Sequence, residues 1–231
     1  GKLFNFMCRF AWFRKLFCKP KRKRGFPDWI VKTDEERIQN KTEMFEREKA
    51  AGTHFSVTEK IDGQSGTFFL QKIGRKKYEF GVCSRNVRLG RPDGSSYWSV
   101  ATKYGIEKVL RSLIGDADRI VLQGEIIGPG IQKNKYERKE YEFYAFNLIY
   151  PDRKVNTFEM TETLAKYGIM SVPVVAADMI LKDTIAEMVE FAKGKTVLIP
   201  GKKREGVVVR SYEKNISFKV ITPEFLLAND E

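Results

Sequence analysis

Residues 59–63 combine a lysine, two carboxylates and a glycine at the end of an apolar segment. Lys60 follows the β-branched and aromatic run 55–58, and Gly63 permits a tight turn after it. A lysine amine is a nucleophile only when it is neutral, and burial or nearby cations lower its pKa toward that state. Asp62 lies on the same side of an extended chain, where it can orient the amine or a ligand. Spacing alone favours a surface hairpin with a solvated lysine. Whether Lys60 is instead a nucleophile depends on the rest of the sequence.

That context consists of charged or aromatic residues at the ends of, or inside, later apolar runs. Each has an ordinary structural explanation when it is taken singly, such as a solvated turn, a core aromatic ring or a charge at a strand edge. The residues are Arg85 between Ser84 and Asn86, Glu125 after Gly124, Phe146 before Asn147, Glu205 before a run of valines, and Lys219 between Phe218 and Val220.

Composition limits the class of protein. The 231 residues, 42% hydrophobic and 13% aromatic, suffice for one substantial domain. The net charge of +12 points toward a polyanionic partner such as nucleic acid, although charge alone does not distinguish this from an ordinary basic surface. Three widely spaced cysteines without a Cys-x-x-Cys pair indicate neither a disulfide framework nor a zinc site, so a reducing compartment is expected. The sequence has no run of 18 apolar residues, so we expect no membrane span. The cysteine pattern is typical of an intracellular protein, and we expect a cytoplasmic location.

Residues 1–25 differ from the rest, because Phe, Trp and Leu alternate with Lys and Arg and no acidic residue occurs before Asp28. Three interpretations remain open: a basic nucleic-acid-binding arm, an interfacial or organelle-targeting helix, and the remnant of an upstream module. The predicted domain organisation is a basic aromatic arm at 1–25 and a globular domain at 26–231.

The globular part mixes strands and helices without regular alternation, which predicts an α+β fold with mainly antiparallel sheets and flanking helices. Thr33 with the three following acids is a plausible helix start. The predicted helices are 33–48, 97–114, 158–167 and 182–193, and the predicted strands are 55–59, 66–72, 78–84, 120–124, 141–150, 205–211 and 217–221.

Taken together and in this order, the motifs resemble those of the covalent nucleotidyltransferase superfamily of ligases and capping enzymes. The greatest similarity is to ATP-dependent RNA ligases of the Deinococcus and Naegleria type, from about Phe26 to Leu227. The resemblance implies an adenylyltransferase domain, ATP-grasp-like in fold. It also implies an enzyme of RNA repair that forms a lysyl-AMP intermediate, transfers AMP to a 5′-phosphate RNA end and seals that end to a 3′-hydroxyl.

The resemblance further implies ATP and Mg²⁺ or Mn²⁺ as cofactors, and RNA, such as a nicked duplex or paired ends, as the partner. Cations at such a site would stabilise phosphoryl charge and depress the pKa of the lysine. The implied catalytic residues are Lys60, Asp62, Glu205 and Lys219; the ATP-binding residues are Glu59, Lys60, Gly63, Arg85, Glu125, Phe146 and Lys219; the metal ligands are Glu205 and Glu125.

The chain departs from the family pattern at two positions. Asn147 stands where many relatives carry Asp, and Ser217 takes the first place of a Lys-x-Lys pair, with Lys214 nearby as a candidate to compensate. The N-terminal OB-like module of these relatives cannot be made from 25 residues. Either the module has been removed or the basic aromatic arm replaces it, and a partner domain or chain is a further possible source. The alternatives are a DNA ligase, a GTP-using capping enzyme, a catalytically idle RNA-binding protein and an unrelated basic α+β domain.

Overall fold

Two β-sheets form the framework of the chain, for which a computed structural model describes residues 24–90 and 94–228. Seven strands make the larger sheet, in the order β1-β5-β4-β3-β6-β7-β8. Their bounds are Arg24–Gly25 (β1), Gln64–Gly74 (β3), Lys77–Cys83 (β4), Val87–Arg88 (β5), Arg119–Ile127 (β6), Glu142–Ile149 (β7) and Met170–Ser171 (β8). All pairs in this sheet are antiparallel except β7 with β8.

The smaller sheet has four strands in the order β11-β10-β2-β9, and all of its pairs are antiparallel. Its strands are Phe55–Lys60 (β2), Val174–Met179 (β9), Gly206–Ser211 (β10) and Ile216–Ile221 (β11). The described helices are Thr42–Ala50 (α1), Ser96–Lys103 (α2), Ile106–Leu113 (α3), Thr157–Ala165 (α4), Ile185–Ala192 (α5) and Pro223–Ala228 (α6). The mainly antiparallel α+β fold expected from the sequence is confirmed.

Each sheet buries one face against helices. On the larger sheet, helices α2, α3 and α4 cover a core in which the rings of Phe68 and Phe143 meet edge to face at 5.3 Å. On the smaller sheet, α1 and α5 pack over Phe55 and Phe218, whose ring centroids lie 5.9 Å apart. Because side chains alternate along a strand, the residues next to these core positions face the other way.

Residues 33–41 do not form the predicted helix. A short 3-10 turn, Ile38–Asn40, precedes α1, which begins only at Thr42. The Thr33 hydroxyl donates to the Ser65 hydroxyl at 2.8 Å instead of capping a helix. Arg37 pairs with Lys219 of β11 in a parallel bridge. Tertiary contacts of this segment therefore override its local helix signal.

The other differences are smaller. The helix predicted over 97–114 is broken at Gly105, whose φ of +56° interrupts the helical backbone between α2 and α3. The sequence does not predict the two-residue strands β1, β5 and β8, strand β9 or helix α6. The remaining strand predictions agree with the structure to within two residues at most boundaries.

Cys83, the cysteine within the described residues, is a buried free thiol, and burial raises its pKa to about 12. Cys8 and Cys18 lie outside the described residues, as does the apolar and basic segment 1–23. The described part of the chain contains no helix that is both long and apolar enough to cross a membrane.

Candidate active site

A cavity of about 450 Å³ lies where the two sheets meet. It is within the size range of ligand pockets. Strands of both sheets line it, together with the extended segment that precedes α1. All of the site residues predicted from the sequence lie around this cavity, namely Glu59, Lys60, Asp62, Gly63, Arg85, Glu125, Phe146, Glu205 and Lys219.

Lys60 and Glu205 form an ion pair at the cavity wall, with Nζ 2.7 Å from Oε1. Strand pairing brings them together, because Lys60 ends β2 opposite Gly206, and Glu205 directly precedes Gly206. Burial of the ammonium opposes its charge, but the attraction of Glu205, followed by that of Glu125 and Asp62, outweighs it, so the pKa of Lys60 is raised. The expected depression of this pKa by cations is therefore not seen.

Glu125 approaches the same lysine from the larger sheet. It lies on β6 opposite Ser65 of β3. Burial raises the pKa of Glu125 to about 8, although the charge of Lys60 opposes that shift. The Gly63 N–H donates to the Glu125 carboxylate. A Cβ atom at Gly63 would lie 2.4 Å from the Ile126 carbonyl oxygen and 3.0 Å from Glu125 Cγ, so the turn needs glycine to bring the two strands this close.

Lys219 adds a second amine on the cavity side of β11, opposite Val208 of β10. Burial lowers its pKa, and repulsion from Lys60 and Arg37 lowers it further. Arg37 also lines the cavity and was not predicted as a site residue. The three cations make this end of the cavity suited to phosphate groups.

Apolar side chains also line the cavity. Phe146, Val172, Val208 and Ile221 contribute its hydrophobic lining, which suits the faces of a nucleobase. Glu59 also borders the cavity and is buried, which raises the pKa of its carboxyl group. Its Oε2 accepts from the Val197 N–H at 3.4 Å, whereas its buried Oε1 has no hydrogen-bond partner among the described residues.

Arg85 and Asp62 make ion pairs with residues of other segments. Arg85, 61% exposed, contacts Asp34 through Nη2 at 2.5 Å and through Nε at 3.1 Å. Asp62 lies 3.5 Å from Lys135 Nζ, and its N–H donates to the Tyr136 hydroxyl at 3.0 Å. Both site residues are thus fixed by long-range partners, which the sequence motifs do not reveal.

The two departures from the family pattern have different surroundings. Asn147 is buried, and its Nδ2 donates to Gln123 Oε1 at 2.8 Å; it does not line the cavity. The Ser217 hydroxyl donates to Glu35 at 2.5 Å. Lys214 does not line the cavity either, and its charge acts on Glu48. Lys214 is therefore not placed to replace a lysine at position 217.

Several cavity residues were not predicted as site residues. The sequence places Asp34 and Glu35 in the first turn of a predicted helix, and a single tyrosine or arginine within an amphipathic element does not by itself indicate a functional site. These residues are Asp34, Glu35, Arg37, Tyr97, Gln132, Arg210 and Phe225.

The carboxylates fit a divalent cation that also binds substrate phosphates. Glu205 Oε2 is buried and has no hydrogen-bond partner among the described residues, so one oxygen is left over from the ion pair with Lys60. The described residues contain no cluster of three or more His, Cys, Asp or Glu side chains able to hold a metal by themselves. Magnesium sites that rely on one or two carboxylates, water and phosphate oxygens need no such cluster.

Comparison with solved structures identifies similar proteins. Naegleria gruberi RNA ligase with PPi is 30% identical, with a TM-score of 0.79, over 92% of this chain and 62% of that chain. A mutant of that enzyme with AMP and Mn is 30% identical, also at 0.79, over 90% of this chain and 61% of that chain. Another mutant of that enzyme, with ATP and Mn, is also 30% identical with a TM-score of 0.79, over 90% of this chain and 60% of that chain. The chain thus spans about three fifths of these relatives.

Comparison with protein families agrees with this likeness. A search of curated protein sequences gave no match. The model of the RNA ligase family matches residues 53–221, from two residues before β2 to the end of β11. The matched range includes Lys60, Glu125, Glu205 and Lys219. The resemblance drawn from the motifs is confirmed, and the chain belongs to the RNA ligase family.

Proposed function

We propose that this chain is the nucleotidyltransferase domain of an ATP-dependent RNA ligase, with Lys60 as the residue that becomes adenylylated. The observation that carries the proposal is the ion pair of Lys60 with Glu205, 2.7 Å apart, in a cavity that is also lined by Phe146 and by the cations Lys219 and Arg37. A base against Phe146 and phosphates near Lys219 would bring an α-phosphate to the amine. The Naegleria gruberi RNA ligase structures with ATP, AMP, PPi and Mn support this choice of ligands.

In the first step, the Lys60 amine attacks the α-phosphate of ATP. The new N–P bond replaces the bond from the α-phosphorus to the bridging oxygen, and pyrophosphate leaves. Two protons leave Lys60 in all, one from the ammonium before attack and one from the N–P adduct. Glu205 Oε1 is the nearest acceptor for the first, and water or the departing pyrophosphate takes the second.

Glu205 and Glu125 would hold the divalent cation, Glu205 through its unpartnered Oε2. Such a cation supplies positive charge that stabilises the phosphoryl oxygens and favours the neutral amine. Lys219 and Arg37 add positive charge at the same end of the cavity, while Phe146 stacks on the adenine and Glu59 lies beside it. Asp62 orients the turn that carries Lys60.

In the later steps AMP passes from Lys60 to a 5′-phosphate RNA end, and a 3′-hydroxyl displaces it to join the strands. Arg85, exposed at the cavity rim, is the cation best placed for an RNA end. The net charge of +12 supports a nucleic-acid partner such as a nicked duplex. The relatives are longer than this chain, so efficient sealing is proposed to need contacts from residues 1–25 or from a partner domain or chain.

The test is transfer of label from α-labelled ATP or GTP, with Mg²⁺ or Mn²⁺, to the protein on a denaturing gel. We expect label from ATP on the unmodified protein and none on Lys60→Ala. Label from GTP would instead indicate capping-type chemistry. No label from either nucleotide, on a folded protein, would contradict the proposal and favour a catalytically idle RNA-binding protein. Sealing is tested separately, on nicked RNA duplexes with and without residues 1–25.

A further inference from the structure

Arg210 is a buried arginine on the cavity side of β10, with 5% of its surface exposed. Its Nη1 donates to the Thr58 hydroxyl at 3.0 Å, and its Nη2 lies 3.5 Å from Glu35 Oε1. Its guanidinium carbon lies 5.7 Å from the ring centroid of Phe146. The arginine therefore joins the strand that carries Lys60, the segment before α1 and the proposed adenine-stacking ring.

Glu35 fixes Arg210 from a second direction. It also accepts a hydrogen bond from Ser217, which lies directly opposite Arg210 in the pairing of β10 with β11. The Arg210 Nε is buried and donates no hydrogen bond to any described residue. Burying a guanidinium with an unused donor costs free energy, so fold stability alone is a poor explanation for an arginine at this position.

The distance along the sheet argues against a direct role at the α-phosphate. Lys60 pairs with Gly206, four residues before Arg210 on the same strand. At about 3.3 Å per residue, Arg210 lies about 13 Å from the nucleophile's position along the sheet. The Phe146 ring is much closer to Arg210 than Lys60 is. A planar guanidinium on one face of a phenyl ring leaves the opposite face open to a base.

We propose that Arg210 is a positioning residue that holds the Phe146 ring in the orientation required to stack on the nucleobase. Thr58 and Glu35 fix the guanidinium, and the guanidinium fixes the ring. Arg210 therefore contributes to ATP affinity through the base and not through the phosphates. This inference rests on the proposed function, because it needs a nucleotide in the cavity.

The test compares two ligands that share phosphates but not the base. Binding of α,β-methylene-ATP, which cannot transfer AMP, and of inorganic tripolyphosphate is measured by calorimetry for the unmodified protein and for Arg210→Met. We expect the Kd for α,β-methylene-ATP to rise about tenfold, equivalent to about 1.4 kcal/mol, and that for tripolyphosphate to stay within about twofold. Arg153→Met is the matched control, because Arg153 also lies 5.7 Å from an aromatic centroid, that of Tyr150, away from the cavity.

A double-mutant cycle with Phe146→Leu tests whether Arg210 acts through the ring. In the Phe146→Leu background, Arg210→Met should change the Kd for α,β-methylene-ATP by less than about twofold. A full tenfold loss there, an equal loss for tripolyphosphate, or no loss in the single variant would each overturn the inference. If Arg210→Met does not fold, Arg210→Lys keeps the charge without the flat face and should show the same pattern with a smaller loss.

Label transfer from ATP to the unmodified protein is measured alongside. Binding of α,β-methylene-ATP without label transfer would contradict the proposed function. The double-mutant cycle would still decide whether Arg210 positions Phe146. Failure of the unmodified protein to bind α,β-methylene-ATP would overturn both the proposed function and the positioning role of Arg210.

Discussion

Lys60 Nζ and Glu205 Oε1 lie 2.7 Å apart at the adjoining ends of two paired strands. The proposed nucleophile is therefore held as an ammonium by the same residue that is proposed to bind the metal. Burial works against that charge, and the carboxylates outweigh it. Any ligand that draws Glu205 away from the lysine favours the neutral amine, which gives substrate and metal binding a direct electrostatic effect on the nucleophile.

This pair predicts how the reactivity of Lys60 depends on pH. In metal-free protein, acetic anhydride should label Lys60 with a midpoint above that of an ordinary lysine, because Glu205 raises its pKa. Glu205→Gln should move the midpoint to lower pH, since burial and the nearby Lys219 remain while the attraction is lost. Competitive labelling followed by peptide mass spectrometry measures the midpoint.

Glu190→Gln is the control for that experiment, because it removes a carboxylate 2.6 Å from the exposed Lys193 and leaves the cavity unchanged. We expect no change in Lys60 labelling. Equal midpoints in Glu205→Gln and the unmodified protein would show that Glu205 does not set the protonation state of the lysine.

Gly63→Ala should disturb the site through the backbone. The added Cβ meets the Ile126 carbonyl oxygen at 2.4 Å and Ile127 Cγ2 at 2.9 Å, and neither can swing away as the end of a flexible side chain could. We expect the free energy of unfolding to fall by about 1–3 kcal/mol and AMP transfer to fall at least about tenfold, because Glu125 and the turn carrying Lys60 must shift.

Urea unfolding and label transfer from ATP measure the two effects of Gly63→Ala. Gly25→Ala serves as the control, because nothing lies within 4 Å of a Cβ there, and its stability should change by no more than about 0.5 kcal/mol. Unchanged transfer in Gly63→Ala would mean that the close approach of the turn to β6 is unnecessary for activity.

Asn147→Asp tests the residue that departs from the family pattern. The Asn147 amide donates to Gln123 Oε1, and Gln123 Nε2 in turn donates to the Val31 carbonyl oxygen at 2.8 Å. A carboxylate cannot donate to Gln123, and at this position its charge would be buried. We expect a loss of about 2–4 kcal/mol in unfolding free energy at pH 7, and a smaller loss at pH 4, where the carboxyl group is protonated.

The exposed Asn215→Asp should change stability by no more than about 0.5 kcal/mol in the same unfolding measurements. Because Asn147 does not line the cavity, its Asp variant should keep the affinity for α,β-methylene-ATP while folded. A stable Asn147→Asp protein with altered nucleotide affinity would instead show that position 147 acts on the nucleotide.

Sequence patterns predicted the central strands because these strands are rich in β-branched and aromatic residues and are buried along much of their length. Phe55 and Val57 face the core of the smaller sheet, whereas Thr58 and Lys60 border the cavity. Strand β9 was missed because its residues are mostly half-exposed or exposed, so no strong two-residue period marks it. The acids after Thr33 resemble a helix start. They form none, because Asp34 pairs with Arg85 in the turn between β4 and β5, and Glu35 contacts Arg210 of β10 and Ser217 of β11.

The candidate site was predictable only where its residues occur in local motifs. Lys60 and Gly63 stand together in the chain, and Glu205 precedes a recognisable run of valines. Arg210 ends that same run, yet its burial depends on the register of β10 with β2 and β11. Register is set by the whole sheet, and so no single stretch of sequence reveals such a residue.

The last prediction concerns Lys154, which lines a small pocket together with Arg210 and does not line the cavity that contains Lys60. Burial, and then repulsion from Arg210, lower the pKa of Lys154 to about 8, with Glu35 acting in the opposite direction. The unfolded chain keeps this lysine protonated up to about pH 10.4. Folding therefore carries a penalty that is complete below pH 8 and disappears as the pH rises toward the unfolded value.

Lys154→Met should remove that penalty. We expect its free energy of unfolding to exceed that of the unmodified protein by roughly 1–3 kcal/mol at pH 7, and the difference to shrink toward pH 10. Urea unfolding at both pH values measures it, with the exposed Lys166→Met as a control that should show no such trend. A difference that stays constant with pH would mean that Met stabilises by packing alone, and that Lys154 remains an ordinary ammonium beside Arg210.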